Sequence, residues 1–181
     1  MFGLAARWRR NRPDRLTRLA KAIEAIAETD RKLIAQNAEV DRLRVQGALD
    51  LYRICSTFVR KVNDKLSEHT VLLDPPSFAE SSYDEGGANL FQINLRGRIL
   101  QIEFGPTVEL YEDDDFRHPY VLRGTVRSFN QELLAQSAVD EQMIFYCPRN
   151  GHAFWYFADG RTYRSGRVSE NYLISEMEKL L

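Results

Sequence analysis

An α+β domain is the fold class this sequence predicts. It comprises a long N-terminal helix, bent or broken near Gly47, and a mostly antiparallel sheet of about five strands covered on one face by helices. Three observations predict it. From Pro13 to Leu66 there is no internal proline and a single glycine, and apolar residues recur at helical spacing. From Phe91 onward the period changes to two, the spacing of a half-buried strand. The strand-like runs alternate apolar with polar residues and are joined by short turns, as in antiparallel sheets with one covered face.

Pro13 suits the first helical position, where its missing N–H has no acceptor to lose, and Asp14 favours the helix dipole. Leu16, Leu19, Ile23, Ile26, Leu33 and Val40 follow steps of three, four and seven along one stripe. Asp30, Asn37 and Arg44 fall where further apolar members are expected, so the heptad seam is weakened. The stripe restarts as Leu51, Ile54, Cys55, Phe58, Val59, Val62 and Leu66, a cleaner amphipathic face. Unbroken, the stretch would be a rod of about 80 Å at 1.5 Å per residue, longer than the rest of the chain is wide. Its first half is therefore expected to pack on a partner chain or to fold back, and its second half to lie on the sheet.

Asp74-Pro75-Pro76 stops the helix, and residues 74–88 read as an irregular loop ending in Gly86-Gly87. Phe91, Ile93 and Leu95 then lead through Arg96-Gly97-Arg98 into Leu100, Ile102 and Phe104, a hairpin by periodicity and turn chemistry. Gly105-Pro106 is expected to turn the chain again before a short strand at Thr107–Tyr111. Glu112-Asp113-Asp114-Asp115 reads as a loop and Tyr120–Arg127 as a strand. Ser128 is placed to cap a short helix through Phe129, Leu133 and Leu134. Met143–Cys147 and Ala153–Ala158 form a second hairpin across Pro148-Arg149-Asn150-Gly151. Ser169 caps a last helix with Leu173, Ile174, Met177, Leu180 and Leu181 on one face. The expected organisation is a basic, flexible arm at 1–12, a projecting or partner-binding helix at 13–47 and an α+β domain at 48–181.

The formal charge of −1 conceals an asymmetry. Residues 1–71 carry 15 basic against 9 acidic side chains, and residues 72–181 carry 10 against 17. Basic arms of one copy are thus suited to acidic domains of another. Two cysteines are too few for a disulfide framework, and both sit in apolar patterns. With no secretory signal at the N-terminus, a reducing, cytoplasmic setting is expected. No run of apolar residues reaches the length of a membrane span.

Among candidate chemistries, Cys147 and His152 flank the turn of the last hairpin and are the best-placed pair for nucleophilic catalysis. Cys147 closes an apolar run, however, whereas a reactive thiolate needs a cationic pocket or a helix N-terminus, so a non-enzymatic protein is expected. The three histidines are isolated, and the acidic run lacks the alternating ligands of a calcium loop. No phosphate-binding glycine motif occurs, so no metal and no cofactor is expected. Arg7, Trp8, Arg9, Arg10 and Arg12 form an anion-binding candidate for nucleic acid or a membrane surface, although a pI near 6.3 does not mark a dedicated nucleic-acid domain. On the sheet, Gln92, Asn94, Gln101, Glu103, Arg123, Thr125 and Arg127 are expected to share a polar face with Tyr146 and Tyr156 nearby, a candidate recognition surface.

Across about residues 48–181 the element order resembles small dimeric secretion-chaperone-type α+β folds, in which a helix, three strands, a helix, two strands and a helix follow one another. The resemblance rests on that order and on no motif. The expected function is a protein–protein adaptor or chaperone-like protein that self-associates, as a dimer, through Leu16, Leu19, Ile23, Ile26, Leu33 and Val40, or that binds another protein there.

Overall fold

A computed structural model describes residues 15–113, 116–130, 140–149 and 151–181. The chain divides after Glu39 into two compact units. Helix α1 spans Arg15–Asn63, and residues 15–39 are its share of the first unit. There Glu28 pairs with Arg31 at 3.3 Å and Lys32 at 3.7 Å on the polar side of the helix.

In the second unit, seven strands form one antiparallel meander, each paired with its neighbour in sequence. They are β1 (Val71–Asp74), β2 (Asn89–Leu95), β3 (Arg98–Asp113), β4 (Phe116–Phe129), β5 (Asp140–Arg149), β6 (His152–Asp159) and β7 (Arg164–Arg167). Helix α2 (Glu170–Glu178) closes the fold. The α+β class and the antiparallel sheet stand as expected; among the described residues the strand count is seven rather than about five.

The two unforeseen strands carry little periodic signal. In β7, Arg164-Ser165-Gly166-Arg167 has no apolar side chain to alternate. β1 has four residues and adjoins the double proline. It is tied down by the buried Asn63, whose side-chain amide donates to Val71 O at 2.8 Å and whose Oδ1 accepts from Val71 N at 3.1 Å. The last helical residue thus plays the part of a strand neighbour, ending α1 and starting the sheet.

Two expected breaks are absent. Gly105-Pro106 does not turn the chain: β3 runs through both, with Pro106 paired to Leu122 and the register shifting between Pro106 and Tyr111. The missing N–H is accommodated at a strand irregularity. Glu112 and Asp113, expected in a loop, also belong to β3, while Asp114 and Asp115 lie outside the described residues. Nor does Gly47 bend or break α1, which continues sixteen residues beyond it. A Cβ there would stand 2.7 Å from both Leu122 Cδ1 and Tyr146 Cδ1. The glycine is a close-approach residue that lets the helix backbone lie directly on the sheet.

Ala48, Leu51, Cys55, Phe58 and Val59 of α1 join Phe91, Ile93, Leu100, Ile102, Phe104, Ile144 and Trp155 of the sheet in one buried cluster. Burying each large side chain contributes about 1.5–3 kcal/mol. A chain of aromatic contacts runs through it, from Phe91 to Phe104 at 5.2 Å and from Phe104 to Trp155 at 5.5 Å. Ser169 caps α2 as expected, its hydroxyl accepting from Tyr172 N. Leu173, Met177 and Leu180 enter the core, but Ile174 and Leu181 are exposed; Tyr172 and Glu176 take inward positions instead. Ser128 and Phe129 belong to β4, and the rest of the short helix expected after them lies outside the described residues.

Candidate functional site

The stripe on α1 is where the sequence and the fold disagree most about what should be covered. Leu16, Leu19, Ile23, Ile26 and Ile34 are between 57% and 71% exposed, unusual for side chains repeating on one helix. Val40 is packed against the core of the second unit, and the side chain of Leu33 lies outside the described residues. Flanking the stripe, Ala20, Ala22, Ala27, Thr29 and Gln36 bring no charge to its borders. Arg44, at a seam position by spacing, is instead fixed within the second unit. Its guanidinium binds Glu85 at 2.6 Å and Asp41 at 3.2 Å and donates to the carbonyl of Thr107.

The outer face of the sheet is the second candidate. Gln92 pairs in register with Gln101, Gln101 with Arg127 and Arg127 with Glu141. Asn94, Glu103, Thr125 and Arg123 share this face by alternation, as expected, and Asn94 also accepts from Gly97 N in the β2–β3 turn. Arg127 binds Glu141 at 2.6 Å and Glu103 at 3.4 Å; the bond to Glu141 is the main cause holding its guanidinium above its ordinary pKa. Tyr156 lies on this face, opposite Phe145. Tyr146 does not: it is buried on the inner face, where its hydroxyl donates to Asp50 Oδ2 at 2.8 Å. Burial, then that bond, raises the Tyr146 pKa.

Cys147 and His152 stand in neighbouring rows of one sheet face and are not register partners. Cys147 is paired with Phe154, and His152 with Arg149 at the hairpin end. The thiol is buried, and burial pushes its pKa up to about 12, so it is protonated at neutral pH. Among the described residues no group of His, Cys, Asp or Glu is arranged to hold a metal ion. Arg7, Trp8, Arg9, Arg10 and Arg12 lie outside the described residues.

A cleft of about 430 Å³ opens beside β7 and α2, with Gln142, Phe157, Arg164, Tyr172 and Glu176 in its walls. Its buried polar groups serve one another. Gln142 donates to Glu176 at 2.9 Å and accepts from the Tyr172 hydroxyl at 3.1 Å, and Lys179 binds Glu176 at 2.8 Å. The sequence pattern does not single out Glu176, although it stands inside the apolar spacing Leu173, Met177, Leu180, where a carboxylate needs a partner.

No helix among the described residues is long and apolar enough to cross a membrane. Comparison with family models, curated proteins and solved structures finds no match for this chain.

Proposed function

We propose that this chain is a non-enzymatic interaction protein, an adaptor or chaperone-like in kind, that self-associates through the stripe of Leu16, Leu19, Ile23, Ile26 and Leu33, which ends before Val40 because that side chain packs against the core of the second unit. The observation that supports the reading is the exposure of Leu16, Leu19, Ile23 and Ile26 at heptad-like spacing. Covering such a stripe with a second copy removes apolar surface from water at about 25 cal/mol per Å². The small uncharged flanks allow two helices to approach closely, and Asp30 and Asn37 within the seam limit how far pairing extends. The charge imbalance between the two segments favours the same assembly, with basic arms meeting acidic domains.

Replacing Ile23 and Ile26 together by Asp tests it. The second unit should keep its thermal transition, because neither residue belongs to its core. The molar mass in solution should fall to that of one chain. A mass unchanged by the double substitution would overturn the reading.

A further inference from the structure

The outer face of the sheet is electrostatically divided. Toward one end, Arg127 lies between Glu103 and Glu141, and the three charges satisfy one another. Toward the other end the rows change character. Arg123 pairs in register with Phe145, Phe145 with Tyr156, and Tyr156 with Arg167. Beyond them Cys147 faces Phe154, and Arg149 faces His152. No Asp or Glu occupies these rows. Arg123, Arg149, His152 and Arg167 are exposed, and Phe154 and Tyr156 are partly buried. Among the described residues, no carboxylate pairs with Arg123 or Arg149. The Arg167 guanidinium lies 3.7 Å over the Phe154 ring, so a planar cation already uses that ring as a stacking surface.

We propose that this half of the outer face is a platform for single-stranded nucleic acid, its phosphates on Arg123 and Arg149 and its bases stacked on Tyr156 and on the Arg167 guanidinium that covers the Phe154 ring. Two features select this occupant. Exposed guanidiniums that pair with no carboxylate among the described residues complement a polyanion, and they flank aromatic rings on neighbouring strands. An acidic polypeptide would use the arginines but gain little from the rings, whereas every base has a flat face to stack. The neutralised end, at Glu103–Arg127–Glu141, limits the platform to β4–β7.

The test uses the full chain and a full-length form with Arg7, Arg9, Arg10 and Arg12 replaced by Gln, which removes binding by the arm. A fluorescein-labelled oligothymidylate is titrated and followed by anisotropy at two salt concentrations. The arm-neutralised chain should still bind, more weakly at high salt. Adding R123Q and R149Q should lower the slope of log affinity against log salt by about 0.7 for each phosphate no longer neutralised. Tyr156→Leu, which keeps an apolar side chain on the strand, should weaken binding about tenfold or more. A halogenated oligouridylate should cross-link to Tyr156. Absence of binding at low salt, or binding indifferent to R123Q and R149Q, would overturn the proposal. So would polyglutamate displacing the oligonucleotide as well as unlabelled oligothymidylate does, which would mark a surface for acidic polypeptides instead.

Discussion

Trp155 donates its indole N–H to the carbonyl oxygen of Gly47, 2.7 Å away, and so bonds the sheet to the backbone of the helix laid across it. The two residues are 108 positions apart in sequence. The bond forms because position 47 has no side chain: Leu122 and Tyr146 occupy the space a Cβ would need.

Gly47→Ala should therefore destabilise the protein although alanine is the better helix former. On propensity alone the change would add about 1 kcal/mol of stability. Overpacking against Leu122 and Tyr146 should instead cost about 1–3 kcal/mol. Urea unfolding of the two proteins checks the sign.

Trp155→Phe should remove the same bond while preserving an aromatic ring in the core. Losing a buried hydrogen bond and part of the indole volume should cost about 2–4 kcal/mol, read from the same unfolding curves. Combined with Gly47→Ala, the losses should not add, since both act on one helix–sheet junction.

Lys179→Met should leave the buried Glu176 carboxylate with Gln142 as its remaining partner. The expected cost at neutral pH is about 1–3 kcal/mol. Lys179→Met with Glu176→Gln should recover part of it, because the second change removes the unpaired charge. A double-mutant cycle by thermal unfolding measures the coupling.

Both thiols should resist modification in the folded protein. Burial pushes Cys147 from the ordinary 9.0 up to about 12, and Cys55 likewise to about 12. A thiol whose pKa is higher in the folded state keeps its proton there while the unfolded chain loses it. Its contribution to stability is thus complete below pH 9.0 and is lost as pH rises toward about 12. Labelling with a thiol reagent should be slow until denaturant is added, and midpoints of urea unfolding should fall with rising pH in that range.

The elements with a strong repeating pattern were legible in the sequence: α1, the β2–β3 hairpin, the β5–β6 hairpin and α2 with its Ser169 cap. What escaped has no local signature. β1 depends on a side-chain amide eight residues upstream, and β7 pairs with β6 without an apolar residue of its own. Gly47 and Pro106 carry the residue types of breaks, yet each is answered by a distant partner, Trp155 in one case and the β3–β4 register shift in the other. At the candidate surfaces, alternation correctly put Gln92, Asn94, Arg123 and Arg127 on one face. It could not show that Arg127 is neutralised by Glu103 and Glu141 while Arg123 is not, because that depends on which strands are neighbours.

The most direct test of self-association is the molar mass of the unaltered chain, measured by light scattering at low and high salt. A stripe buried against a second copy should give a dimer that persists at high salt, since apolar burial is not screened. A mass of 21.0 kDa, that of one chain, at both salt concentrations would contradict it.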